Sequence, residues 1–314
     1  MPSWCGPAFR PAARRTLDHQ HMEPHMDNWS RWGAADERGA ANLIDADAVR
    51  RGLAAVRDGR PISLAAPIVA NRGFGLVGRP DPQHFMLRDG GDYAAGLPER
   101  AGFGFADDWV AMPTHGVSHL DALSHIWQSG LMYNGHEASS VTSKGARRCG
   151  IEKVGPIVTR GVLVDLLAPG QRYLSPGEPV SAERLQAALD ALDLELQPGD
   201  ALLVRTGWLA AWAAGAANAS AWPGLHLDCA RLLAEADVTL VGADNVGVEV
   251  FPSQVPDCQV PLHVALVRGR GVYFSELLDL DELAASGRTS FLLVIAPLPL
   301  VGAVGSPVSP VAVV

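Results

Sequence analysis

The chain has 314 residues, 48% of them hydrophobic and 19% charged, with a formal net charge of -9. This supplies enough apolar side chain for a sizeable core and too little charge for a disordered chain. The acidic balance carries no electrostatic footprint for nucleic acid and sets that partner class aside.

Residues 1–26, MPSWCGPAFRPAARRTLDHQHMEPHM, contain Pro, Arg and His but no apolar run of signal-peptide length. They read as a disordered leader, with Met22 or Met26 as alternative starts and His19, His21 and His25 as surface residues. Residues 27–314 have no composition shift and read as one domain. Short apolar, β-branched runs predict strands at 62–69, 161–167, 201–205, 238–242, 272–274 and 291–296. A Gly-rich, weakly patterned stretch from Asn71 to Gly104 reads as a long surface loop of the kind that covers a site. Ser181 is the expected N-cap of a helix over 182–194, with Leu185, Ala188, Leu189 and Leu192 on one face. Gln197-Pro198-Gly199-Asp200 then turns the chain into the next strand. Further helices are expected at 227–236 and 278–285, and strands mixed with helices predict an α/β or α+β domain.

The last 24 residues, 291–314, carry no charge over a length that could span a bilayer. Pro297, Pro299, Pro307 and Pro310, with Gly302 and Gly305, would break such a helix. The FLLVIAPLP run is expected instead to be a buried strand entering an ordered loop, in a soluble, cytoplasmic protein with no membrane partner. Cys5, Cys149, Cys229 and Cys258 form no CxxC pair and read as reduced, mostly buried thiols.

Four candidate ligands or proton carriers fall within 11 residues: His115, His119, Asp121 and His125, in the pattern H-x3-H-x-D-x3-H. Two neutral imidazoles and a carboxylate form a common three-ligand set for a divalent metal with an open position. A straight strand would separate His115 from His119 by about 13 Å, at ~3.3 Å per residue, too far for one ion. A continuous helix would join those two and send Asp121 to another face. A shared ion therefore requires a bend, expected at Gly116, where the chain turns most easily. Past the bend, His119 and Asp121 project from one side of an extended segment. His125 lies beyond this set, placed as an acid or base near its ordinary pKa. The HExxH signature is absent, because Gly116 and Val117 occupy its middle.

This segment resembles the signature of the cyclase-type metal-dependent hydrolases, the family of bacterial kynurenine formamidase and isatin hydrolase, written H-x-G-T-H-x-D-x-P-x-H. The three histidines and the aspartate match in register, while Val117, Ser118 and Leu123 stand where the family has Gly, Thr and Pro. Residues 28–33, Asp36-Glu37, 42–44, 83–88, 131–135, 199–208, 250–252 and 296–310 are also similar in order and spacing to the longer members. The resemblance implies the swivelling β/β/α fold of that family, with a mixed sheet core and flanking helices, and a homodimer or tetramer acting on a small molecule. It implies a second ligand pair, His263 and Glu276, with Asp121 and Glu276 bridging if two ions are held. The ion would be zinc or manganese, one or two per subunit. The implied reaction is hydrolysis of a cyclic amide, N-formyl or lactone bond by a metal-activated water, with His125 moving the proton. Ring closure or dehydration at the same site is the alternative reaction. A non-catalytic, metal-stabilised binding protein is the alternative of another class, favoured by Val117 and Leu123.

Simpler roles stand beside these assignments. Glu276 could cap the following helix, and His263 could support the neighbouring strand. His84, His136 and His226 either line the pocket or are structural. Asp244 and Asn245, ending an apolar strand, either contact substrate or shape a turn. Ser118 and Ser124 have no triad partner apart from the metal residues.

Overall fold

The apolar runs pair into a nine-stranded mixed sheet in the computed structural model, which describes residues 27–314. The expected leader and its three histidines lie outside the described residues. The strands that matter below are β1 (Pro61–Ser63), β2 (Gln83–Arg88), β3 (Asp107–Ala111), β4 (His119–Asp121), β5 (Ile157–Asp165) and β6 (Ala201–Arg205). They continue with β7 (Leu240–Ala243), β8 (Tyr273–Glu276), β9 (Ser290–Ile295), β10 (Gly305–Pro307) and β11 (Val311–Val313). The sheet runs in the order β1-β11-β9-β5-β6-β7-β8-β4-β10. Strands β5 to β8 are parallel, with antiparallel strands added on both sides. Parallel strands must be covered on both faces, so they are apolar throughout. Residues 201–204 and 240–243 are accordingly all buried.

Strand β6 occupies the predicted 201–205. Strand β5 starts four residues before its predicted start at 161, in a half-buried stretch where Val158 and Arg160 alternate with buried Ile157 and Thr159. Strands β10 and β11 were masked by the prolines of the C-terminal segment. Pro307 is tolerated because β10 is an edge strand, where a missing N–H breaks no ladder.

Helix α1 (Ala46–Ala55) begins at Asp45, whose carboxylate accepts from the N–H groups of Asp47 and Ala48. Its Gly52 weakens the helical pattern, and the fold requires it. A Cβ there would lie 2.8 Å from the carbonyl of Thr159 on β5. Helix α2 (Ala182–Ala191) starts as expected, with the Ser181 hydroxyl accepting from the Arg184 N–H and with Leu185 and Leu189 buried. Helix α3 (Cys229–Glu235) packs beside it. The helix expected over 278–285 is shortened to α4 (Asp281–Ala285), because Leu277 and Leu278 donate their N–H groups to Asn245 and Ala243.

The stretch from Asn71 to Gly104 departs from the expected loop. It contains β2, which pairs antiparallel with β3 in a separate hairpin whose residues are mostly exposed, with Phe85 stacked on Trp109 at 5.7 Å. A ribbon exposed on both faces has no polar–apolar alternation to reveal it. Cys149, Cys229 and Cys258 are free thiols, the first two buried. Among the described residues, no helix is long and apolar enough to cross a membrane.

Candidate metal centre

The bend expected for a shared ion is present, as a turn closed by the Gly116 N–H on the Pro113 carbonyl at 3.1 Å. Gly116 is not in the left-handed region, and a Cβ there would meet Pro113 at an ordinary 3.4 Å. The bend is real, but the freedom of glycine does not make it. After the turn, β4 enters the sheet between β8 and β10, with His119 opposite Glu276 and Asp121 opposite Gly305. Residues two apart on a strand share a face, which puts His119 and Asp121 side by side. His263 arrives from the first position of a short π-helical segment (His263–Arg268).

These side chains converge. His115 Nε2 lies 3.2 Å from Asp121 Oδ1, and His119 Nε2 lies 3.4 Å from the same oxygen and 3.2 Å from Glu276 Oε2. His263 Nε2 lies 3.5 Å from Asp121 Oδ2 and 3.3 Å from Glu276 Oε1. None of the five residues is more than 7% exposed. Each imidazole is held through its other nitrogen. His119 Nδ1 donates to the Val117 carbonyl at 2.7 Å, His263 Nδ1 donates to the Glu249 carboxylate, and His115 Nδ1 lies 3.0 Å from Thr114 Oγ1. Anchoring Nδ1 fixes the tautomer and aims Nε2 at the cluster.

His115 Nε2, His119 Nε2, both Asp121 oxygens and Glu276 Oε1 are buried with no hydrogen-bond partner among the described residues. Buried polar atoms are almost always paired, because each orphan loses its water without compensation. Five orphans gathered around the Asp121 carboxylate, supplied by imidazole nitrogens and carboxylate oxygens, fit a divalent cation. Two overlapping groups have mutual ligand-atom spacings within 4.8 Å: His119–Asp121–Glu276 and His115–Asp121–His125. The charge balance agrees. Burial pulls His119 down, but the facing carboxylates of Asp121 and Glu276 outweigh this and raise it to about 9. Burial likewise opposes protonation of His263, and Asp121 and Glu249 outweigh it. The site favours positive charge.

His125 differs from expectation in two ways. Its ring stacks on His115 at 4.0 Å and 23°, so it adjoins the cluster instead of lying beyond it. Burial lowers its pKa to about 4, well under the ordinary imidazole value, so it is neutral at pH 7.

The remaining candidates lie apart. His84 pairs with Asp108 on the hairpin, His136 bonds the Asp36 carbonyl, and His226 faces Asp228. Asp244 accepts from Thr206 N, Thr206 Oγ1 and Gly207 N, and burial pushes its carboxyl up to about 6. Asn245 bonds Pro223, Gly247 and Val248. Both shape turns. Ser118 is a tie, accepting from Ala66 N and donating to the Leu277 carbonyl, and Ser124 is buried with its hydroxyl unpaired among the described residues.

Two contributors escaped the sequence reading. Glu249 accepts from Leu262 N, His263 N and His263 Nδ1, and so fixes both the helix start and the ring. The available signal was one carboxylate inside the apolar run Val246-Gly-Val-Glu-Val-Phe-Pro252. Gly305 lies flat against His115, and a Cβ there would sit 2.7 Å from its Cε1. His263 and Glu276 of the cluster line a cavity of about 370 Å³, together with Arg79, His125, Trp222 and Phe251. Trp222 and Phe251 stack at 4.5 Å, and the indole N–H donates to the Glu249 carbonyl. A larger cavity of about 640 Å³ between α2 and α3 contains none of these groups.

The family described as "Putative cyclase" matches residues 20–250. A crystal structure described as a novel cyclase is 35% identical, covers 92% of this chain and 97% of its own, and superposes with a TM-score of 0.83. Isatin hydrolase A from Labrenzia aggregata is 18% identical over 83% of this chain and 94% of its own, with a TM-score of 0.61. A predicted metal-dependent hydrolase from Bacillus stearothermophilus is 20% identical over 81% of this chain and 97% of its own, with a TM-score of 0.51. At those identities the last two establish the shared fold. No curated protein matches the chain. The family match, the 35% identical relative and the H-x3-H-x-D-x3-H segment agree: the chain belongs to the cyclase family and has its mixed-sheet α/β fold.

Proposed function

We propose that this protein is a metal-dependent hydrolase that cleaves the C–N bond of a cyclic amide or N-formyl group, or a lactone, in a small aromatic substrate. The observation that carries the reading is the set of five buried, unpaired ligand atoms converging beside a cavity. His115, His119, Asp121, His263 and Glu276 are the residues that would hold the cation, zinc or manganese, as one ion or two. A bound divalent cation supplies a Lewis acid for a carbonyl and lowers the pKa of water.

The chain's own groups do the rest. Neutral His125 begins as an acceptor, takes the proton of the attacking water on a ring nitrogen and returns it to the leaving nitrogen or oxygen. Glu249 keeps His263 in the Nδ1–H tautomer. Trp222 and Phe251 present a flat apolar wall that orients an aromatic ring and excludes water. A second reading, with His125 as a further ligand, is favoured by its ring nitrogen lying with ligand atoms of His115 and Asp121. The buried free thiols Cys149 and Cys229 favour a reducing, cytoplasmic setting. Exposed Phe85, Leu87 and Trp109 on the hairpin favour self-association, and a homodimer is the simplest form.

The test is elemental analysis of the purified protein alongside a panel of cyclic amides, N-formyl arylamines and lactones. Substoichiometric metal, or acid release that persists after chelation, would refute the reading. Chelation that unfolds the protein, instead of leaving a folded enzyme that metal reactivates, would favour a structural ion.

A further inference from the structure

Arg79 is the one lysine or arginine lining the cavity among the described residues. It sits just after the turn at Leu76, whose carbonyl accepts from the Arg79 N–H. One guanidinium nitrogen, Nη1, donates to the backbone carbonyl of His115 at 2.7 Å. That carbonyl belongs to a residue of the cluster, so the cation is tethered within one residue of the reactive pole. Among the described residues, no carboxylate lies within ion-pair distance of Arg79, although arginines 31, 60, 148, 160, 184, 205 and 288 each have one. A guanidinium carries five donors in a rigid fork, and a single backbone bond leaves most of the fork free. The chain thus keeps a guanidinium without an ion-pair partner among the described residues at a cavity also lined by Trp222 and Phe251.

We propose that Arg79 is the specificity-determining residue of this site and that the substrate is an aryl carboxylate: an aromatic ring bearing a free carboxylate beside the bond that is cut. This rests on the hydrolase reading above and adds the charge of the substrate to it. The ring lies on Trp222, the carboxylate pairs with the free edge of the Arg79 fork, and the scissile carbonyl faces the cluster. A charge-assisted fork is directional, so it selects both the anion and its orientation. The net charge of -9 repels anions in general, and the local cation makes an exception at this one place.

The experiment compares formanilide with its ortho-, meta- and para-carboxylated forms as substrates, and benzoate with benzamide as ligands in calorimetry, using the metal-loaded enzyme. At least one carboxylated formanilide is expected to be cut with a kcat/KM about 10–100-fold above formanilide. Arg79→Met should abolish that preference, lowering kcat/KM for the carboxylated formanilide at least about 10-fold more than for formanilide and mostly through KM, and Arg79→Lys should restore part of it. Benzoate should bind the wild type more tightly than benzamide, and Arg79→Met should erase the difference with metal content unchanged. A variant that loses activity equally on charged and neutral substrates would reduce Arg79 to a tether for His115 and overturn the proposal. So would benzoate binding that survives Arg79→Met, because the carboxylate would then be held elsewhere. Arg79-dependent binding of benzoate with no hydrolysis of any formanilide, amide or lactone would instead refute the hydrolase reading alone.

Discussion

Replacing Gly305 with alanine places a methyl group against the ring of His115, 2.7 Å from Cε1 and 3.1 Å from Cδ2. Carbon atoms pack comfortably at about 3.5–4.0 Å, so relief requires a displacement of roughly 1 Å. The ring cannot easily provide it: His125 stacks on one side at 4.0 Å, His119 stands edge-on at 5.0 Å, and Nδ1 is held by Thr114. The strand cannot easily provide it either, because Gly305 is paired directly with Asp121. Metal ligands tolerate distance errors of about 0.2 Å, so a displacement several times larger removes His115 from the ligand set. Apparent metal affinity should fall about 10–100-fold, or ~1.4–2.7 kcal/mol, as when a ligand loses its support. The metal-free protein should lose about 1–3 kcal/mol from overpacking alone. Competition with a chromogenic chelator measures the first quantity and urea unfolding the second. The same substitution in a His115→Ala background should be nearly neutral, and that double-mutant cycle isolates the contact. Wild-type affinity and stability in Gly305→Ala would refute the packing argument. A penalty that persists without the His115 ring would show that strand β10, not the ring, bears the strain.

The other predictions are briefer. Glu249→Gln should keep the fold but weaken metal binding about 10–100-fold, because His263 loses the partner that fixes its tautomer. Chelator competition reads this directly, and unchanged affinity would sever Glu249 from the site. His125→Ala should retain full metal content and lose about 10²–10⁴ in turnover, whereas a drop in metal content would make His125 a ligand. Burial opposes ionisation of Glu37, but the Cys149 N–H and the Arg148 guanidinium outweigh it and lower its pKa. Its contribution is therefore complete above the ordinary carboxylate pKa and is lost as pH falls through the lowered folded value. Urea midpoints from pH 3 to 6 should fall less steeply for Glu37→Gln than for wild type, and parallel curves would remove Glu37 from the acid response.

What the sequence revealed and concealed follows from distance along the chain. The three residues His115, His119 and Asp121 lie within one turn and one short strand, and a shared ion at that spacing called for the bend that the structure has. Strand β6 was legible because a parallel strand buried on both faces is an unbroken apolar run. Glu249 was not, because its role exists only once the chain returns to place His263 over it. Gly305 was concealed more deeply, among residues whose prolines disguise an edge strand beside β4. The hairpin of β2 and β3 hid because neither face is buried, and so no periodicity marked it. The depressed pKa of His125 depended on burial, which spacing does not report.

The cluster and the cavity beside it are drawn from different kinds of structure. His119, Asp121 and Glu276 ride on interior strands whose neighbours fix them to within a hydrogen-bond length. Arg79, Trp222 and Phe251 come from connecting segments outside those strands. The two are nonetheless joined, since Arg79 donates to the His115 carbonyl and Trp222 to the carbonyl of Glu249, which holds His263. A substitution in these loops therefore reshapes the cavity wall and shifts the footing of two cluster histidines together.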